Sequence, residues 1–325
     1  MRRLFLLAAF LCLFSALLSL ILGGSPLKIS QISSIFSSEP SPEQRIFWYV
    51  RFPRTVACLL TGCALSVAGA VIQAVLNNKL ASPSILGVNS GAGLAVTLCT
   101  ALGIYGGWRM ALCSFLGAFC TVLLLSLGAK KWGFSRGTVI LTGVALNSLL
   151  GAMTQTIITF FPDVGTMSND FRVGDFSSVT YQKLFPAAIL IFIVLALLFT
   201  LTNELDLLTL GEETARGLGL AVGKTRILFL LFVALLAGCA VSLAGLVSFV
   251  GLLVPHAVRK IAGGSARNLL PLCAMFGAGF VTLCDLIART AFSPYEIPVG
   301  ILLAFLGAPF FFCILIRRNG GTKND

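Results

Sequence analysis

The stretch TVACLLTGCALSVAGAVIQAVL, residues 55–76, decides the class of fold. It carries no charged residue, and it is long enough to cross the hydrocarbon core of a bilayer, which takes roughly 20 apolar residues in a helix. Along it Gly62, Ser66, Gly69, Gln73 and then Asn77 recur at intervals of 4, 3, 4 and 4. At about 100° per residue these positions share one helix face. Small residues let helices approach closely, whereas Gln and Asn in hydrocarbon need a partner or a wet cavity. The stripe therefore has two readings, packing between helices or the lining of a passage.

Outward from this run the pattern repeats. Apolar runs cover 4–22, 55–76, 91–106, 108–128, 138–161, 186–202, 226–246, 247–258, 269–290 and 297–316. The eighth is too short to span alone. The run over 138–161 has a second stripe through Gly143, Asn147 and Thr154, with Gly151 nearby. With 57% hydrophobic and 11% charged residues and a mean hydropathy of +0.98, the chain is too apolar to be dissolved in water; soluble domains carry about 25% charged residues. The expected class is an all-α integral membrane protein of about ten helices forming one domain over 1–325. The net charge of +11 sits at the ends of the apolar runs, which is a topology signal and not a nucleic-acid surface. Threading the runs with the N-terminus inside places most Lys and Arg on the inner side and both termini in the cytoplasm. A sizeable positive remainder, including Arg51, Arg54 and Arg289, is left outside. Arg2 and Arg3 open a run too long for a signal peptide and without a clear cleavage site, so it reads as a retained first helix.

Three polar segments interrupt the runs. The outer one at 23–54 contains Ser41-Pro42-Glu43-Gln44, a helix start with a Ser cap and Pro in the first turn. A second outer segment covers 162–185. The inner one, NELDLLTLGEETARGLGLAVGKT over 203–225, reads as a helical elbow: Gly211 separates two short stretches, Glu212 and Glu213 suit the positive end of the second helix, and Arg216 suits its close. Gly223-Lys224-Thr225 imitates the end of a phosphate-binding loop, but Leu218 stands where that motif needs Gly and an apolar helix follows. His256 is the only histidine, and the ten cysteines form no metal-site spacing, so no metal centre is expected and the thiols read as small apolar filler. Asp285 and Arg289 stand four apart and can pair. No nucleophile–base pair, metalloprotease motif or chain of intramembrane acids is present, which argues against an enzyme and against a proton-driven carrier. A secondary transporter or channel lined by the polar stripes stays open on these grounds.

Several separated motifs are similar to one family. They are Arg51-Phe-Pro-Arg54; Gly62 through Gln73; Asn78-Lys-Leu80-Ala81-Ser-Pro83-Ser-Ile-Leu-Gly87; Gly211-Glu-Glu-Thr-Ala215-Arg-Gly-Leu-Gly219; Gly245 through Arg259; and Glu296-Ile-Pro298-Val-Gly300 with Leu306-Gly307-Ala-Pro309. In this order they resemble the FecCD permeases of bacterial ABC importers for iron–siderophore, haem and cobalamin. The resemblance implies a type II importer architecture in the cytoplasmic membrane, built from two permease subunits, identical or paralogous. It also implies two cytoplasmic ATPase subunits that use ATP, an external binding protein, and no cofactor bound covalently to this chain. The stripes and the ionisable residue at the mouth of the last run suggest Gln73, Asn77 and Glu296 for the pathway, and the resemblance places Asn78, Leu80, Asn147 and Ser148 at its cytoplasmic gate. Glu212, Glu213, Ala215, Arg216 and Gly219 fall to ATPase coupling. Arg51, Arg54 and Arg289 fall to docking of the binding protein, with pairing inside the chain or among lipid headgroups as the other reading. The chain departs from the family at Lys79, where Pro is common, and at Phe171-Arg172-Val173-Gly174, where Trp commonly precedes the Gly.

Overall fold

The computed structural model describes residues 1–23, 42–132 and 136–320, the side chains of 129–132, 136 and 313–320 excepted. The cap expected at Ser41 lies outside the described residues. In chain order the helices are α1 (Arg2–Ile21), α2 (Pro42–Ile46), α3 (Phe52–Val75), α4 (Val88–Ala101), α5 (Gly107–Trp132), α6 (Arg136–Phe160), α7 (Pro162–Met167), α8 (Asn169–Val173), α9 (Tyr181–Thr200), α10 (Thr202–Thr209), α11 (Glu212–Gly217), α12 (Val222–Ala244), α13 (Val250–Ala262), α14 (Ala266–Thr290) and α15 (Val299–Gly320). A π-helical turn, Phe47–Arg51, joins α2 to α3, and a 3-10 turn, Pro83–Leu86, leads into α4.

Among the described residues, seven helical segments are long and apolar enough to cross a membrane: α1, α2–α3, α5, α6, α9, α12 and α14. α4 and the described part of α15 are shorter apolar helices. α13 has 13 residues, about 20 Å at 1.5 Å per residue, so it cannot cross a core of about 30 Å alone. Together these ten helices occupy the ten apolar runs. The third starts earlier than its run, at Val88, because Gly87 adopts φ +89 and reverses the chain just before it.

α3 is the central helix and packs along α12, α13 and α14, with α1 against its N-terminal end. A Cβ on Gly62 would collide with the backbone of Gly277 on α14, and one on Gly69 with the backbone of Gly251 on α13. These contacts require glycine. Ser66 donates to the Cys273 carbonyl at 2.6 Å, so its hydroxyl is satisfied inside the bundle. α1 and α9 turn large apolar side chains such as Leu6, Phe10, Phe185 and Phe192 outward, as a lipid-facing surface requires. α8 and the segment after it dock by backbone hydrogen bonds: Leu246 N–H to Phe171 O at 2.8 Å, Asp175 N–H to Ala244 O at 2.9 Å and Gly300 N–H to Gly174 O at 3.1 Å. Gly174, at φ +85, makes this three-way junction between α8, α12 and α15.

Candidate functional site

At the end of the bundle where α3 begins and α14 ends, three arginines meet three carboxylates. Arg54 holds Asp285 with two nitrogens, Nε at 3.1 Å from Oδ2 and Nη2 at 2.9 Å from Oδ1. Its Nη1 reaches Glu296 at 2.8 Å, and Asp175 lies 3.9 Å from Nη2. Arg289 lies 3.6 Å from Asp285 on its own helix and donates to the Ser19 carbonyl and hydroxyl at 2.6 and 2.7 Å. Arg51 donates to the carbonyls of Leu20 and Ile21 at 3.1 and 2.6 Å. The last turn of α1 has no basic residue of its own; two arginines from other helices supply the positive charge that a helix C-terminus favours.

This arrangement corrects the expectation that Arg51, Arg54 and Arg289 stand ready on the surface. All three are buried, and the planar forks that could receive a partner's carboxylate are turned inward. The pairing of Asp285 with Arg289 agrees with the reading inside the chain. Glu296 also differs from its place in the sequence reading. It belongs to this clamp, at the opposite end of α3 from Gln73 and Asn77. Asp175, Ser19 and Thr55, the last 2.8 Å from Ser19 Oγ, were not anticipated. The available signal for Asp175 was charge balance, since its segment, 162–185, falls on the same outer side of the threading as the unmatched arginines.

At the far end, the elbow consists of α10 and α11 with Gly211, at φ +106, between them. Glu212 accepts from Arg216 at 2.7 Å and from Arg226 on α12 at 3.0 Å, so it braces the elbow against the bundle. Ala215, on the inner face of α11, is fully buried. Glu213, Thr214, Arg216 and Gly219 are exposed, as are Leu210 and Leu218. The elbow is also fixed from α10, where Asp206 accepts the Ala266 N–H at 2.7 Å and the Ser265 hydroxyl at 3.2 Å and thereby caps α14. Gly223-Lys224-Thr225 lies in the first turn of α12, a helix and not a phosphate-binding loop.

Between these ends, Gln73 is buried, donating to Gly251 O at 3.3 Å and accepting from Arg259 at 2.8 Å. Asn77, at φ +47, closes α3. Asn78 accepts the Leu80 N–H at 2.9 Å in a tight turn of the kind Asn favours. Leu80 is half-buried beside His256, which stacks edge-on against Phe310 with ring centroids 5.9 Å apart. From α6, Asn147 grips the loop that follows, donating to Ser84 O at 3.1 Å and Ile85 O at 3.3 Å and accepting from Ser90 at 2.6 Å. Ser148 beside it is exposed and bonds its own helix at Val144 O, 3.2 Å away. The structure thus brings Asn78, Leu80 and Asn147 to one loop and keeps Gln73 inside the α3–α13 contact.

Residues 11–317 match the FecCD transport family. The chain belongs to that family. It is 35% identical to the Fe(3+)-citrate import system permease YfmD of Bacillus subtilis (strain 168), over 97% of this chain and 94% of that protein. It is 36% identical to the vitamin B12 import system permease BtuC of Klebsiella pneumoniae, over 85% and 84% of the two chains. A solved inward-facing metal-chelate type ABC transporter superposes with a TM-score of 0.86 at 28% identity, covering 98% of this chain and all of that one. The all-helical importer-permease fold expected from the motifs is therefore the fold of this chain. It is a multi-pass membrane permease of the ABC-importer kind, and these relatives are named as permeases rather than ATPases.

Proposed function

We propose that the chain is the membrane-spanning domain of an ATP-driven importer that carries an iron–siderophore, haem or cobalamin-type chelate across the bacterial inner membrane. It acts beside a second permease, identical or paralogous. ATP is hydrolysed on separate cytoplasmic subunits seated on the exposed side of the elbow, and an external binding protein delivers the cargo. Asn78, Leu80, Asn147 and Ser148 narrow the path at the elbow end. With the elbow in the cytoplasm, the start of α1 lies on the same side, because its other end is held by Arg51 and Arg289 in the opposite clamp.

The observation that carries this reading is the outward face of α6. Only 11% of its most apolar window is buried, against 83% for the α2–α3 segment. Ser148, Gly151, Gln155, Thr156 and Thr159 are exposed along it. A membrane helix whose outward hydroxyls bond only carbonyls of its own turns, and which turns an amide outward beside them, suits a second protein body or an aqueous path better than bare lipid. A second permease facing α6 would provide both. Relatives named for ferric citrate and for vitamin B12 support a bulky metal chelate as cargo.

The test is co-reconstitution of the permease with its ATPase and binding protein in proteoliposomes, with radiolabelled cobalamin and ferric chelates offered in turn. Uptake that requires both ATP and the binding protein is expected. Uptake driven by an ion gradient without the ATPase would replace this reading with a secondary transporter.

A further inference from the structure

A cavity of about 360 Å³ opens at the elbow end between α3, α10, α13 and the start of α14. Its polar lining is Gln73, Asn77, Lys79, Asp206, Thr209 and Arg259. Asn77, Lys79 and Thr209 are exposed at its mouth, and Arg259 is half-buried at its wall. Neither Arg259 nor Lys79 has a carboxylate within 4.0 Å among the described residues. The one acid in the lining, Asp206, already spends both oxygens on the cap of α14. Arg259 keeps a single described hydrogen bond, to Gln73, which leaves most of its five donors unused. Lys79, Arg259 and Lys260 all act electrostatically on His256, one turn before Arg259, so the positive charge is concentrated here. A partly desolvated guanidinium without a counter-charge is costly, and its planar fork matches an oxyanion.

We propose that this cavity binds a phosphate-type oxyanion, held by the Arg259 guanidinium and the Lys79 ammonium with the Asn77 amide at its rim. Gln73 positions Arg259 from α3. Two sources carry this chemistry at the membrane surface: the headgroup of an anionic phospholipid and free inorganic phosphate. The bound group touches α3, α10 and α13 at once, so it ties the elbow to the central helix. Lys79 stands where the family resemblance commonly has Pro.

The experiment uses the full chain in detergent micelles and two variants. Arg259→Lys keeps the charge and removes the fork; Lys79→Gln alters only an exposed side chain. Native mass spectrometry measures retention of phosphatidylglycerol against diacylglycerol of the same acyl chains. Thermal unfolding is measured with inorganic phosphate against chloride at equal ionic strength. The expected result is preferential retention of phosphatidylglycerol, or a rise in thermal midpoint with phosphate, reduced in each variant. The affinity loss should be roughly tenfold, the scale of one charge-assisted hydrogen bond. Retention of the lipid with no phosphate effect identifies the headgroup as the source; a phosphate effect with equal retention of both lipids identifies free phosphate. Lipid retention and phosphate response that are the same in the native chain and both variants would overturn the site.

Discussion

α3 and α6 carry similar stripes of small and polar residues, and the fold uses them in opposite ways. On α3 the stripe is consumed inside the chain. Gly62 and Gly69 admit the backbones of α14 and α13, Ser66 and Gln73 bond carbonyls on the same two helices, and the segment is buried nearly all round. On α6 only the first part of the stripe is consumed, where Gly143 lies against Ile85 O and Asn147 holds the loop before α4. Beyond it a Cβ on Gly151 would meet nothing within 4 Å, and the hydroxyls of Ser148, Thr156 and Thr159 fall back on carbonyls of their own helix. A small-and-polar stripe therefore says that a helix has a close neighbour. Whether that neighbour is in the same chain depends on where the matching glycines and free carbonyls lie.

The comparison can be broken most forcefully through the charge clamp that fixes the start of α3. Asp285→Asn should cost about 3–5 kcal/mol, because it leaves Arg54 and Arg289 buried without their shared carboxylate; thermal unfolding in detergent checks this, and an unchanged midpoint would mean the arginines are solvated. Gly69→Val should cost about 1–3 kcal/mol by overpacking α13, seen as loss of monodisperse protein in size exclusion. Ser66→Ala should cost about 1 kcal/mol, the net worth of one buried hydrogen bond, measured as a fall in the unfolding midpoint. Smallest in stability is Gly151→Leu, within about 0.5 kcal/mol of the parent, although ATP-dependent uptake should fall sharply. A Gly151→Leu permease that transports normally would remove α6 from the path.

Much of the fold was legible because membrane helices announce themselves by length and composition. All ten apolar runs are helices, and the elbow was visible from Gly211 followed by Glu212 and Glu213, where backbone freedom and dipole chemistry coincide. The fate of the two stripes was not legible. The residues that decide it, Gly251, Cys273 and Gly277, lie some two hundred positions from α3 in sequence, and periodicity within one helix carries no information about them. The arginines illustrate the same limit. Placed at helix ends, Arg51, Arg54 and Arg289 looked exposed, yet their partners come from α1, α14 and the segments before α9 and α15. Counting unmatched charges on each side of the threaded topology would have pointed to Asp175, Asp285 and Glu296, but not to the bidentate geometry. Glu212, read from the sequence only as part of the ATPase-facing elbow, also braces α12 through Arg226, a contact between residues 14 apart that no helical repeat would suggest.

The most direct measurement compares the two faces in the reconstituted importer with a water-soluble thiol reagent, each site resolved by peptide mass spectrometry against the native cysteines. Gln155→Cys on α6 should be labelled, and its rate should change about tenfold or more between nucleotide-free and ATP-trapped states, while Ser66→Cys on α3 should stay unlabelled throughout. Rapid labelling at position 66, or protection at position 155 in every state, would contradict the assignment of α3 to packing and α6 to the path.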